Sequence, residues 1–161
     1  MLEVDGRMQK GPCRMIPLSS TQVDQYARPL IRLTMGDEIA NSIEEYDEPR
    51  VETDFYGLFD MDKLIAIGGL GSVISPKKVW LGYWTIHPNY RNKGVGSRVL
   101  DFIEELAASL GYKWIFVETY DSPLFEKALK AYKKRGYKEI GYLSDYTEDD
   151  SDALYLRKTL I

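Results

Sequence analysis

The sequence predicts a mixed α/β fold of the α+β kind, in which a central, twisted, mostly antiparallel sheet of about six to seven strands is flanked by about four helices. Three alternating apolar segments within 55–86, joined by short turns, indicate consecutive antiparallel strands. A strand–helix–strand unit over 79–119 predicts one parallel pair. Two further alternating segments, 137–143 and 153–159, predict the last two strands.

The region before these strands is predicted to be mainly helical. Residues 13–18 predict a short strand, and Ser19 begins a Ser-Ser-Thr run that offers a helix N-cap. Pro29 is expected to break the following helical region in two, because proline lacks the N–H that a helix interior needs. A second helix is then expected over 30–45.

Two longer helices are predicted in the second half of the chain. Residues 94–110 carry an apolar stripe at i, i+4 and i+7, which is typical of a helix with one buried face. Gly111 stands where a C-terminal cap belongs. The last helix is expected to begin at Pro123 and to stop at Gly136.

Length and composition indicate one globular domain over 1–161. One cysteine, Cys13, and one histidine, His87, are too few for a metal ligand set, so no metal is expected. The formal net charge of -4 argues against a general nucleic-acid binder. No apolar run approaches the roughly 20 residues of a spanning helix, so no membrane partner is expected and a cytoplasmic location is predicted.

The most informative segment lies between a predicted strand and a predicted helix. Glycines at such a junction let the backbone approach a ligand, and the first N–H groups of a helix favour an anion such as a pyrophosphate. A P-loop would need Gly-Lys-Ser/Thr, and a dinucleotide fingerprint would need a third glycine where Val99 stands. Neither pattern fits the segment, which reads Arg91-Asn92-Lys93-Gly94-Val95-Gly96-Ser97.

This Arg-x-x-Gly-x-Gly pattern, preceded by a strand that contains Trp84-Thr85-Ile86, resembles the acetyl-CoA signature of the GNAT superfamily of N-acetyltransferases. A second segment, over 128–137, has the pattern Ala-x-x-x-Tyr-x-x-x-Gly-aromatic that is similar to a later motif of the family. The resemblance is strongest over 55–160. It implies an enzyme that transfers the acetyl group of acetyl-CoA, its co-substrate, to a primary amine by direct attack in a ternary complex.

The resemblance also implies roles for individual residues. The N–H groups of residues 91 to 97 would hold the CoA pyrophosphate, and the backbone of Trp84, Thr85 and Ile86 would contact the pantetheine arm. The N–H of Ile86 would polarise the thioester carbonyl as an oxyanion donor. Tyr132 matches the tyrosine that protonates the departing thiolate.

The proton acceptor for the amine is open. The first candidate is Glu118, predicted near the end of its strand, and a chain of water molecules is the alternative. The glutamate that some histone-type members use is replaced by Trp80. His87, beside a proline at a strand end, is more typical of a turn residue than of a base, and Cys13 lies outside the matched region.

The sequence departs from the family at Phe125, where many members carry an asparagine that contacts the pantetheine arm. A non-catalytic CoA-binding sensor of the same fold is therefore an alternative, and an interaction protein is a second one. Members often form homodimers, but no sequence feature here fixes the oligomeric state.

Two acidic segments, 37–54 and 142–152, are a further feature of the sequence. Such segments are solvated faces in many proteins, but like charges near a cleft also concentrate a cationic substrate. They leave the acceptor open among small amines, an antibiotic, a peptide N-terminus and a lysine side chain. The use of acyl groups longer than acetyl is likewise open.

Overall fold

The computed structural model describes residues 3–4, 7–8, 14–45 and 54–160. Cys13 and the acidic residues between 46 and 53 lie outside this part of the chain. The chain divides into two units, the first formed by Met1–Ser72 with Gly82–Leu106 and the second by Val73–Leu81 with Ala107–Ile161.

The described strands are β1 (Glu3–Val4), β2 (Arg7–Met8), β3 (Ile16–Pro17), β4 (Asp54–Asp60), β5 (Lys63–Ser75), β6 (Lys78–Leu81), β7 (Thr85–Ile86), β8 (Trp114–Tyr120), β9 (Lys138–Leu143) and β10 (Ala153–Thr159). The described helices are α1 (Ser20–Gln22), α2 (Arg28–Met35), α3 (Asp37–Glu45), α4 (Val95–Ser109) and α5 (Glu126–Lys134). A π-helical turn at Val23–Ala27 joins α1 to α2, and 3₁₀ turns occupy Pro88–Tyr90 and Pro123–Phe125.

The first helical region begins where the sequence predicts and breaks elsewhere. Ser19 forms a capping box, since its side chain accepts from the N–H of Gln22 and its N–H donates to the Gln22 side chain. The prediction of a break at Pro29 was wrong. The wide π turn, in which the N–H of Arg28 bonds to the carbonyl of Val23, accommodates the proline in the first turn of α2.

The helix ends instead at Gly36, and α3 follows directly after it. Gly36 has φ +94°, a left-handed conformation that favours glycine and reverses the chain after α2. The predicted helix over 30–45 is thus two helices. Its apolar residues still face one core, because Leu30, Ile31 and Ala40 are buried together.

In the first unit, consecutive antiparallel strands are confirmed. Strand β4 pairs with β3 on one side and with β5 on the other, and β7 pairs with β5. The strand predicted over 79–86 is divided, because Gly82–Trp84 interrupt it and separate β6 from β7.

Helices cover both faces of the strands in the first unit. Phe55 and Ile67 pack with α2 and α3. Their neighbours point the other way: Tyr56 meets Phe102 of α4, with ring centroids 5.1 Å apart. A Cβ on Gly68 would lie 2.8 Å from Val99, so α4 packs against β5 at close range.

In the second unit, the hydrogen-bonded order of strands is β6-β8-β10-β9. Strands β6 and β8 are parallel, with Val79 opposite Ile115, which confirms the predicted parallel pair. Strand β10 is antiparallel to both β8 and β9. The last helix, α5, ends before Gly136, whose φ of +93° confirms it as a terminating glycine.

These elements confirm the mixed α/β class with a mostly antiparallel sheet. None of the helices in the described ranges is long and apolar enough to cross a membrane.

Candidate functional site

The loop between β7 and α4 has a conformation that presents backbone N–H groups. After the 3₁₀ turn, Arg91 is extended, and Asn92 and Gly94 both adopt positive φ values, +60° and +81°. Helix α4 begins at Val95, so its first N–H groups have no acceptor within the helix. Such groups, together with the positive end of the helix dipole, favour an anion.

The two glycines of the loop serve different purposes. A Cβ on Gly94 would meet nothing within 4 Å, so its positive φ is the reason for glycine there. A Cβ on Gly96 would lie 3.0 Å from Cζ2 of Trp84. The Trp84 ring nitrogen also donates to the Gly96 carbonyl at 3.2 Å. Gly96 therefore allows the Trp84 ring to lie against the first turn of α4.

The Ile86 backbone points away from β5. His87 N–H donates to the Ile65 carbonyl at 2.7 Å, which makes this pair a hydrogen-bonded pair of the antiparallel ladder. Ile86 faces Ala66 in the next register position, where the pairing leaves both backbone groups turned outward. The Ile86 carbonyl accepts from Nε of Arg91 at 3.2 Å on that outward side.

Thr85 is buried and fixes β7 to α2. Its hydroxyl donates to the Thr34 hydroxyl at 2.7 Å, and Thr34 donates to the Leu30 carbonyl at 3.0 Å. Val95, at the start of α4, is also buried, so only its backbone is available to a ligand. By contrast, Asn92 and Ser97 are exposed.

Positive charge collects around Tyr90, next to this loop. The Nζ atoms of Lys63 and Lys93 lie 5.6 and 5.7 Å from the centre of the Tyr90 ring. The Tyr90 hydroxyl donates to Asp60 at 2.7 Å, which holds the ring in place. Sequence patterns assigned no role to Lys63, since its approach depends on the β5–β7 pairing.

His87 is a turn residue in this structure. Its Nδ1 accepts from the N–H of Asn89 at 3.2 Å and so caps the 3₁₀ turn. Burial lowers the pKa of His87, and the nearby Lys63 and Arg91 charges lower it further. The side chain is therefore neutral at pH 7 and can accept this capping bond.

Tyr132 lies on α5 in the second unit and is 5% exposed. Its ring packs edge-on against Tyr137, with centroids 5.4 Å apart. Burial raises the pKa of Tyr132 above its ordinary value, so its phenol remains a proton donor at neutral pH. Phe125, which precedes α5, packs edge-on against Tyr120 at 5.0 Å.

Glu118 is exposed on β8 in the same unit, with aromatic side chains around it. The Tyr120 hydroxyl donates to the Glu118 carboxylate at 3.0 Å. Tyr155 of β10 stands directly opposite Glu118 in the register. Trp80 lies beside Tyr155 and Phe116, with ring centroids 6.1 and 5.7 Å away. Trp80 is thus part of an aromatic surface.

In the first unit the structure brings the segment Arg91–Ser97 together with Trp84 and Ile86. Three contacts in or beside this loop could not be read from the sequence motif: Trp84 with Gly96, Arg91 with Ile86, and Lys63 with Tyr90. Within the described ranges, no group of three or more His, Cys, Asp or Glu residues could hold a metal ion.

Comparisons with known proteins found related sequences and similar folds. The sequence profile of the acetyltransferase (GNAT) family matches residues 24–137. An uncharacterized N-acetyltransferase of Bacillus subtilis strain 168, YsnE, is 27% identical over 107 residues, which cover 66% of this chain and 70% of that protein.

Solved structures share the fold. An aminoglycoside 6'-N-acetyltransferase complexed with coenzyme A has a TM-score of 0.71 at 22% identity, covering 92% of this chain and 97% of that chain. A GNAT family acetyltransferase from Elizabethkingia anophelis with acetyl-CoA bound has a TM-score of 0.76 at 15% identity, covering 93% and 99%.

Proposed function

The chain belongs to the acetyltransferase (GNAT) family and is an acyltransferase, and we propose that it transfers the acetyl group of acetyl-CoA to a primary amine by direct attack in a ternary complex. The observation that carries the proposal is the loop before α4, where left-handed Asn92 and Gly94 precede a helix N-terminus beside Arg91 and Lys93. No metal takes part in the proposed reaction.

The cofactor is bound by the first unit. The N–H groups over Arg91–Ser97 hold the pyrophosphate, with the positive charges of Arg91 and Lys93 beside them. The backbone of Trp84, Thr85 and Ile86 contacts the pantetheine arm. Support comes from the outward-turned backbone of Ile86 and from the Trp84–Gly96 contact, which fixes this segment against α4.

The Ile86 N–H stabilises the thioester oxygen as negative charge develops on it. This N–H is turned away from β5. The hydrogen bond that Nε of Arg91 donates to the Ile86 carbonyl helps to fix the backbone of Ile86. A donor that is already in position gives more stabilisation to the transition state than to the ground state.

Tyr132 assists the leaving group. As the C–N bond forms and the C–S bond breaks, its phenol donates to the sulfur, which leaves as the thiol of CoA. The raised pKa of Tyr132 keeps this donor protonated across the neutral range. Titration of Tyr132 is therefore expected to affect the rate only on the alkaline side, above pH of about 10.

The amine must lose a proton to attack. Glu118 accepts it in this proposal, and a water chain is the alternative route. The exposure of the Glu118 carboxylate on β8 supports its access to an acceptor amine. If Glu118 is the base, Glu118→Gln changes the pH–rate profile. An unchanged profile removes Glu118 from the proton transfer.

The CoA-binding sensor is the second candidate function, and Phe125 is the observation that favours it. An aromatic ring stands at the start of α5 where many members carry asparagine, and it packs on Tyr120. Both functions include CoA binding, so turnover distinguishes them.

The decisive assay measures thiol release from acetyl-CoA with a panel of amines that includes spermidine, an aminoglycoside and short peptides. We expect amine-dependent release, with Tyr132→Phe lowering kcat by about 100-fold because the leaving thiolate loses its donor. Tyr142→Phe, on the exposed part of β9, is the matched control. Cofactor binding without release over the whole panel would favour the sensor.

A further inference from the structure

One carboxylate and three tyrosines form a cluster on the second unit that no role above fully uses. Glu118 accepts from the Tyr120 hydroxyl at 3.0 Å, and Tyr155 lies directly opposite it on β10. Tyr146 belongs to the turn between β9 and β10 and is exposed. We call Glu118, Tyr120, Tyr146 and Tyr155 the tyrosine–carboxylate cluster.

The charge state of the cluster is simple at neutral pH. Burial raises the pKa of Tyr120 and of Tyr155, and the Glu118 carboxylate raises both further. Tyr146 also raises the pKa of both phenols. The phenols of Tyr120 and Tyr155 are therefore neutral at pH 7, and Glu118 is the acidic side chain among these rings.

A carboxylate among aromatic rings recognises a particular chemistry. The faces of tyrosine rings carry partial negative charge, which attracts ammonium groups when they are close to the ring. The carboxylate supplies a full charge and hydrogen-bond acceptors. An ammonium ion gains from the carboxylate charge and from the ring faces together, whereas an anion is repelled by the carboxylate, so the combination favours an organic ammonium ion.

The acidic turn next to the cluster favours a ligand with more than one positive charge. The turn is hydrogen-bonded to the residue that follows β8, because the Asp121 N–H donates to the Asp152 carbonyl at 2.9 Å. Its exposed carboxylates are Asp145, Glu148, Asp149 and Asp150. Together they extend the negative potential beyond Glu118 and concentrate cations there.

We propose that the tyrosine–carboxylate cluster and the adjacent acidic turn bind a polyamine-like acceptor, with one ammonium group at Glu118 and a second positive charge at the turn. This names the acceptor class and rests on the proposed transferase function. The aliphatic stem between the two charges lies against the rings. Salt weakens this binding, because the acidic turn is exposed.

The test is calorimetric titration of spermidine into the full chain without any cofactor. Glu118→Gln is expected to weaken binding about tenfold, and Tyr155→Leu and Tyr146→Leu about threefold each. Tyr155→Phe keeps the ring and is expected to retain binding. The monocation n-butylamine is expected to bind about tenfold more weakly than spermidine, because it has no second positive charge to place at the acidic turn.

Matched controls separate this site from general attraction to an acidic protein. Glu105→Gln removes one exposed carboxylate from α4, and Tyr142→Leu removes one exposed tyrosine from β9; neither is expected to change the affinity. Equal weakening by Glu118→Gln and Glu105→Gln would overturn the site. Equal binding of n-butylamine and spermidine would overturn the part of the proposal that involves the turn.

The same samples are titrated with acetyl-CoA, so that the two proposals fail separately. Spermidine binding that depends on Glu118, without any acetyl-CoA binding, would contradict the transferase and leave the cation site standing. Acetyl-CoA binding with no effect of Glu118→Gln on spermidine would contradict the cation site alone.

Discussion

Gly94 and Gly96 are two residues apart, yet each position requires glycine for a different physical reason. Gly94 has φ +81°, and a Cβ added there would meet nothing within 4 Å. A Cβ added at Gly96 would lie 3.0 Å from Cζ2 of Trp84. The first requirement concerns the backbone, and the second concerns the packing of one aromatic ring. The same substitution at the two positions should therefore have different consequences.

Gly94→Ala is expected to lower the free energy of unfolding by about 1 kcal/mol, because a side chain is strained at positive φ. In Gly96→Ala, the higher helix propensity of alanine stabilises the folded state by about 1 kcal/mol, and this gain offsets the crowding of Trp84. Urea unfolding measures both free energies. With Trp80 and Trp114 both replaced by Phe, so that Trp84 is the sole tryptophan, the emission should change in Gly96→Ala and stay unchanged in Gly94→Ala.

The control for Gly96 is the double variant Gly96→Ala, Trp84→Phe. Removal of the outer ring of the indole relieves the crowding, so the two substitutions should couple favourably in a double-mutant cycle. Additive free energies would contradict the packing argument, and a Gly94→Ala protein as stable as the wild type would contradict the backbone argument.

At the scale of elements, patterns local in sequence predicted most of the fold. Periodicity identified the long helix α4, and β10 has the predicted bounds 153–159. The break at Gly36 and the division between β6 and β7 were not predicted. Helical apolar spacing continues across Gly36, where the positive φ of the glycine ends α2. Strand-like composition continues through Gly82–Trp84, where strand pairing separates β6 from β7.

The candidate site divides in the same way. The segment Arg91–Ser97 was found from its glycine and arginine spacing, since a helix N-terminus and its preceding loop are contiguous in sequence. The surroundings of Glu118 were not found, because Tyr155 comes opposite it only through the register of β8 and β10. Alternation could place Tyr120 beside Glu118, since both belong to one face of one strand.

At the scale of the whole molecule, the two units are joined by continuous elements. Strand β5 and helix α4 each begin in the first unit and end in the second. Both elements are continuous along the chain across the boundary between the units. We therefore propose one domain over the chain and expect one cooperative unfolding transition.

The three tryptophans allow a direct check, because Trp84 belongs to the first unit and Trp80 and Trp114 to the second. In Trp84→Phe the remaining tryptophans lie in the second unit, so fluorescence reports on that unit. In the double variant Trp80→Phe, Trp114→Phe the remaining tryptophan lies in the first unit. In each variant, fluorescence and far-ultraviolet circular dichroism should give one midpoint in urea. Separate midpoints for the two probes within a variant would mean that the units unfold independently.

The central claim, that the loop before α4 binds the pyrophosphate of acetyl-CoA, is tested most directly by calorimetric titration of acetyl-CoA. The wild type is expected to bind with a dissociation constant on the order of micromolar, and the double variant Arg91→Glu, Lys93→Glu to bind at least about tenfold more weakly, since two positive charges beside the anion become negative. The matched variant Lys113→Glu, Lys138→Glu, with the same change of net charge in the second unit, should bind as the wild type does. Absence of acetyl-CoA binding by the wild type, or equal weakening in both variants, would contradict the account.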